Sequence, residues 1–241
     1  MEARRTQTKS KSDNKQQTQI LVIAIVVVAI AIALMAILLA SNSGPVANPG
    51  IYEGIPMSRQ PDGGFVLGNP EAPITLIEFA DFVCPHCQTY HATAKQFIEE
   101  YVATGQARFE YRMFPVVDPT YSVYTAQLAE CADTLRPGGF WEAQDILFEL
   151  GSRGAFNNQT SQTLANRMGL NHGELVGCAG NAEQVFTDQQ FGTQMGIQST
   201  PSVMIRIGDS EPQFISLGNE TFSRGPVPYG VIQAVMETIT Q

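Results

Sequence analysis

The sequence predicts an α/β domain in which a βαβ unit, a helical insertion and a ββα unit follow one another, preceded by one N-terminal transmembrane helix. Three observations predict this plan. Residues 20 to 40 are an unbroken run of Ile, Leu, Val, Ala and Met. An apolar, β-rich run leads directly into Cys84-Pro85-His86-Cys87 and then into helical periodicity. After Thr200-Pro201, two more β-rich runs and an amphipathic helix close the chain.

A helix over Ile20 to Ala40 would rise about 31 Å, one hydrocarbon core, so this segment is expected to span a membrane. Before it, Arg4, Arg5, Lys9, Lys11 and Lys15 outnumber Glu2 and Asp13, and no basic residue follows until Arg59. By the positive-inside rule, residues 1–19 are a basic cytoplasmic tail and the rest is exported. A cleaved secretory signal is the alternative, with Ser41-Asn42-Ser43 as a small-residue cleavage site, although such apolar regions normally run about 7 to 15 residues. Both readings export the domain. Gly44-Pro45, Pro49-Gly50 and Pro61-Asp62-Gly63-Gly64 mark residues 41–66 as a linker. The domain is expected over residues 67–241. Its surplus of acidic over basic residues disfavours nucleic acid as a partner.

Within the domain, Ile74 to Phe79 has the composition of a buried central strand. Tyr90, Ala94, Phe97, Ile98 and Tyr101 then recur with helical spacing, in a helix beginning near Pro85, where proline suits a first turn. Ala107 to Phe114 reads as a second strand. A helical insertion is expected over residues 116–195. Its first helix carries Tyr121, Tyr124, Leu128 and Cys131, and its second Phe140, Ala143 and Leu147, with Arg136-Pro137-Gly138-Gly139 between them. A third spans Ser161 to Met168, and a fourth sets Val185, Asp188, Gly192 and Met195 on one side. Ser202 to Ile207 and Gln213 to Leu217 form a hairpin pattern around Gly208-Asp209, and Val231, Ile232, Val235, Met236 and Ile239 mark the last helix.

Four cysteines are too few for a disulfide-built scaffold, so the Cys-x-x-Cys pair calls for reactivity or metal. Zinc would need two more ligands at workable spacing, and Cys131 and Cys178 have only His172 nearby in sequence. At a helix start, unfilled backbone N–H groups and the dipole stabilise an anion, which favours the Cys84 thiolate. Thiolate both attacks and leaves in disulfide exchange, whereas a free thiol of pKa about 8.5 is only a few per cent ionised at neutral pH. Stabilising that thiolate stabilises the dithiol form and makes the disulfide form a stronger oxidant. A protonated His86 would add a positive charge inside the ring. Cys131 and Cys178 are read as a structural disulfide closing a loop of about 48 residues; two buried free thiols are the alternative.

Phe79-Ala80-Asp81-Phe82-Val83-Cys84-Pro85-His86-Cys87 resembles the strand-to-active-site motif of the DsbA-like family of extracytoplasmic disulfide oxidoreductases, which have a thioredoxin-like fold with a helical insertion. Gly196-Ile197-Gln198-Ser199-Thr200-Pro201-Ser202 is similar to the family's second motif. The resemblance implies that Cys84 attacks, that Cys87 resolves, and that Glu78 is a semi-buried acid relaying protons to Cys87. It also implies a cis Pro201 beside the cysteines, shaping a peptide-binding edge where the Thr200 backbone pairs with an extended substrate. The implied activity is donation of the Cys84–Cys87 disulfide to reduced, unfolded exported proteins, with no organic cofactor. A quinone-linked membrane protein of the DsbB or vitamin K epoxide reductase type would then reoxidise the pair. Thr before the cis proline departs from the enteric oxidase, which has Val, and matches several isomerases. An isomerase or reductase kept reduced by a membrane donor therefore stays an alternative, as does a non-catalytic peptide-holding chaperone.

Overall fold

The computed structural model describes residue 23 and residues 50–240. The basic tail, the transmembrane segment apart from Ile23, and the first part of the linker lie outside the described residues. Among the described residues, no helix is long and apolar enough to cross a membrane. The chain divides into two units, Met1–Val46 and Ala47–Gln241, and the fold belongs to the second.

Ile74–Ala80 (β3) is buried along its whole length, as its composition requires for a strand covered on both faces. It runs parallel to Ala107–Met113 (β4) and antiparallel to Ser202–Ile207 (β5). Gln213–Leu217 (β6) and Glu220–Phe222 (β7) extend the β5 side, while Met57–Arg59 (β1) and Phe65–Leu67 (β2) extend the β4 side. The resulting order is β1-β2-β4-β3-β5-β6-β7. Pro85–Phe97 (α1) crosses from β3 to β4 and ends in a π-helical turn, Ile98–Val102. Helices Ser122–Leu135 (α2), Gly139–Ser152 (α3), Thr160–Met168 (α4), His172–Ala179 (α5) and Gln184–Gln194 (α6) form the insertion, and Tyr229–Thr240 (α7) closes the domain.

Strand alternation sorts the core into two clusters. Ile74, Leu76 and Ala80 of β3 join Cys87, Tyr90, Ala94 and Phe97 of α1 and most of the insertion in the larger cluster. Ile77 and Phe79 face the other way, against Phe114, Ile197 and Met204, with Phe191 of α6 packed on them. Gly192 permits this approach of α6, since a Cβ there would lie 2.7 Å from the Phe114 ring. Each such aromatic side chain taken from water contributes roughly 1.5–3 kcal/mol before entropy is charged against it.

Two expectations need correction. The linker predicted over residues 41–66 does not extend to 66: β1, the start of β2 and a 3-10 turn at Gly50–Tyr52 lie within it. Pro61-Asp62-Gly63-Gly64 is the turn of a hairpin, closed by Gln60 N–H donating to the Gly64 carbonyl at 2.8 Å. This hairpin is fastened because Asp62 accepts from both terminal nitrogens of Arg112, each at 2.9 Å. Arg112 is buried and also pairs with buried Glu110 and Asp188, while Arg206 pairs with Glu110. Charges of both signs thus compensate one another beneath the hairpin, as buried ions must. Second, the insertion holds five helices where four were expected, the additional one being α5. The βαβ unit and the insertion otherwise stand as read, while the closing ββα unit holds a third short strand, β7, before its helix.

Candidate active site

Cys84 is the N-cap of α1 and Pro85 its first residue, where a missing N–H costs nothing. The loop leading into the helix is shaped by Asp81, a residue that the sequence reading passed over. One carboxylate oxygen accepts from Val83 N–H at 2.9 Å, and the other from Val116 and Val117 N–H at 2.9 and 3.0 Å. Asp81 thereby ties the cysteine loop to the segment after β4. Its local signal was legible, since an aspartate accepting from the amide two residues on forms an Asx-turn. Pro85 and His86 are exposed, and Cys84 and Cys87 are buried free thiols.

The Thr200–Pro201 peptide is cis, and the Cys84 thiol donates to the Thr200 carbonyl at 3.3 Å. The second motif therefore abuts the first across 116 residues of sequence. Cys84's pKa is lowered to about 5. The hydrogen bond from the Cys87 thiol is the largest cause; burial opposes it, and the Thr200 side chain and the N–H groups of Cys87 and His86 assist. Once ionised, Cys84 can no longer donate to the Thr200 carbonyl, so the thiolate rests on its donors at the helix start. Cys87 is driven the other way, first by burial, then by its donation to Cys84 and by the charge of Glu78. The two sulfurs are thus held in opposite protonation states.

Glu78 lies on β3 in register with Tyr111 of β4 and Val203 of β5, on the face that meets α1. It is 1% exposed, and neither carboxylate oxygen has a hydrogen-bond partner. Burial, followed by the negative charge at Cys84, raises its pKa to about 8. A carboxyl so placed is protonated at neutral pH and can give a proton to a sulfur leaving as thiolate. Cys131 and Cys178 are far from this chemistry in role: they form a disulfide joining α2 to α5. Among the described residues, no group of three or more His, Cys, Asp or Glu is arranged to hold a metal ion.

The thioredoxin family model, described as "Thioredoxin", matches residues 60–211. A probable disulfide bond formation protein D of Bacillus anthracis is 25% identical over 166 residues, covering 63% of this chain and 73% of that protein. The Na(+)/H(+) antiporter NhaA 3 of Salinispora tropica is 35% identical over 88 residues, which are 36% of this chain and only 13% of the antiporter. A second antiporter relative is matched over only 15% of its length, so the chain spans a small part of these two curated relatives. Among solved structures, Wolbachia pipientis alpha-DsbA1 superposes with a TM-score of 0.61 at 20% identity, covering 81% of this chain and 92% of that one. With a family model matching well over half of its length, the chain belongs to the thioredoxin family, and its fold is similar to that of DsbA structures.

Proposed function

We propose that this protein is a thiol:disulfide oxidoreductase that works as an oxidase, donating the Cys84–Cys87 disulfide to exported proteins. The observation that carries the reading is the asymmetry of the two sulfurs: Cys84 is lowered to about 5, while Cys87 is held as a thiol beside a protonated Glu78. A substrate thiolate attacks Cys84 Sγ, and Cys87 leaves with the bonding electrons and takes a proton from Glu78. A second substrate thiolate then attacks the sulfur of the mixed disulfide on the substrate side, releasing Cys84 as thiolate. The substrate is oxidised to a disulfide and the enzyme is reduced to a dithiol. Because Cys84 is the better leaving group, release in this direction is favoured.

The Thr200 and Pro201 backbone beside Cys84 suits an extended peptide substrate, and the relatives named as disulfide bond formation proteins support the same chemistry. The reading includes a single-pass anchor over residues 20–40 with the domain outside the cytoplasm, and a quinone-linked partner of the DsbB or vitamin K epoxide reductase type that reoxidises the pair. No organic cofactor enters these steps. The test is oxidative refolding of a reduced, unfolded disulfide protein by the oxidised enzyme, with Cys84→Ser as control. Stoichiometric substrate disulfide formation that is lost in the variant supports the oxidase. A reduction potential as low as thioredoxin's, with the pair found reduced in cells, would instead support the reductase or isomerase. Peptide holding that survives Cys84→Ser without any oxidation would support the chaperone.

A further inference from the structure

Four residues, Asp81 to Cys84, turn the chain from the end of β3 into the first turn of α1 and set the reacting sulfurs. A helix start is normally held by an N-cap side chain that accepts from the first amides. Here the N-cap is Cys84, which makes no such bond. Its sulfur stays available to substrate, and the turn has to be held from elsewhere. Phe82 and Val83 have no polar side-chain atom. Asp81 is the one residue of the four with side-chain oxygens, and it is 2% exposed.

Each polar group of Asp81 is engaged on a different part of the site. Its carbonyl accepts from Cys84 N–H at 3.0 Å, and its own N–H supports the Cys87 sulfur. One carboxylate oxygen accepts from Val83 N–H at 2.9 Å, inside the turn. The other leaves the turn and accepts from Val116 and Val117 N–H, at 2.9 and 3.0 Å. Backbone pairing between the two strands ends just before this point, where Phe114 N–H donates to the Ala80 carbonyl at 2.8 Å. Asp81 therefore takes over as acceptor where the ladder runs out, and carries the tie on into the chain that enters the insertion. From the other side, Gln88 Nε2 donates to the Phe82 carbonyl at 3.0 Å. Gly151 of α3 covers that bond so closely that a Cβ there would lie 2.7 Å from the carbonyl oxygen. A turn gripped at all four residues leaves Cys84 little freedom to drift from its donors on α1.

We propose that Asp81 is a positioning residue for disulfide exchange: its two carboxylate oxygens bridge the turn before Cys84 to Val116 and Val117, and thereby hold the Cys84 sulfur against the Cys87 thiol and the first amides of α1. This rests on the reading of Cys84 as the attacked sulfur and the stabilised thiolate. Asp81 acts through the chain and exchanges neither a bond nor a proton with the sulfurs. A carboxylate suits the task because both of its oxygens accept, whereas an amide offers one acceptor and turns a donor toward the remaining N–H groups. Its charge works in the contrary direction. A negative group near a thiolate raises the thiol pKa, so the charge of Asp81 taken alone disfavours the Cys84 anion, and the gain from position has to exceed that loss. The sign of the effect on Cys84 therefore separates position from charge.

The test is the rate of Cys84 alkylation against pH in the reduced enzyme, together with the equilibrium of the pair against glutathione, comparing the parent with Asp81→Asn, Asp81→Ser and Asp81→Ala. Asn keeps one acceptor oxygen. Ser can hold Val83 N–H in a local turn but has no second oxygen for Val116 and Val117. All three should raise the Cys84 midpoint by about one pH unit, a tenfold loss of thiolate. The disulfide should become tenfold harder to reduce, which is about 30 mV in potential. A midpoint that falls once the charge is removed, or that stays parental, overturns the positioning role. So does a parental midpoint in Asp81→Ser alone, because the local turn would then suffice without the bridge. The Cys131→Ala/Cys178→Ala protein controls for lost stability: it should keep the parental midpoint, and an equal rise there would assign the effect to general loosening and overturn the proposal. If Asp81→Ala fails to fold, Asp81→Asn, which keeps the shape of the side chain, decides. A parental midpoint in the ordinary thiol range would sink the thiolate reading of Cys84 itself, whereas a low parental midpoint with unmoved variants sinks only the role of Asp81.

Discussion

Cys87 does more for Cys84 than the helix does, because its thiol is the largest cause of the lowered pKa, ahead of the Thr200 side chain and the two backbone amides. Replacing Cys87 with Ala should therefore raise the Cys84 midpoint from about 5 toward the ordinary thiol range, leaving the helix contribution as the remainder. Alkylation rate against pH measures this directly, and an unmoved midpoint would assign the effect to the helix alone. Glu78 carries the opposite shift. Its pKa of about 8 in the fold exceeds the unfolded value of about 4.3, so its cost to stability begins above the unfolded value and grows until pH passes the folded one. Glu78→Gln should thus gain stability over the parent as pH rises from about 5 to about 8, read by denaturant unfolding. A gain that shrinks with pH would mean that the carboxylate has a partner.

At the scale of elements, the hairpin of β1 and β2, strand β4 and helix α6 meet at Arg112. Substituting Leu would leave buried Asp188 without its cation and Glu110 with Arg206 alone, at a cost of about 3–5 kcal/mol in unfolding free energy. A loss below about 1 kcal/mol would show that the carboxylates protonate instead, which the raised pKa of Asp188, about 6, makes easiest for that residue. The Cys131–Cys178 bond ties α2 to α5 across 47 residues. Replacing both cysteines with Ala should cost about 2–5 kcal/mol and leave the Cys84 titration unchanged. Element length also explains what the sequence revealed. β3, α1 and β4 were readable because each is long enough to show its period. β1, β2 and β7 have three residues apiece, too few for alternation to register. In α5, Gly173 and Gly177 blur the apolar stripe, yet Asn171 capping the Glu174 amide was a start signal in plain view. Tyr90 and Tyr111 fitted the core period, and nothing in a one-dimensional pattern says that their hydroxyls are buried without a partner.

For the molecule as a whole, the thiolate exists only in the dithiol form, so redox state and pH act together on stability. A depressed pKa gives stability that is complete above the unfolded thiol value and is lost as pH falls through the folded one. The stability of the dithiol protein relative to the disulfide protein should accordingly rise with pH from about 5 to about 9, and thermal unfolding of both forms across that range is the check. A difference independent of pH would refute the thiolate as its source.

Strand β2 has one further consequence. Among the described residues it is the only neighbour of β4 on the side away from β3, and it reaches that place through the turn that Asp62 anchors. A chain trimmed to begin at residue 67 would leave the open hydrogen-bonding edge of seven-residue β4 exposed, flanked by Phe109 and Tyr111. Such a fragment would invite strand pairing between copies, so recombinant versions of the domain must start upstream of Tyr52 if they are to stay monodisperse.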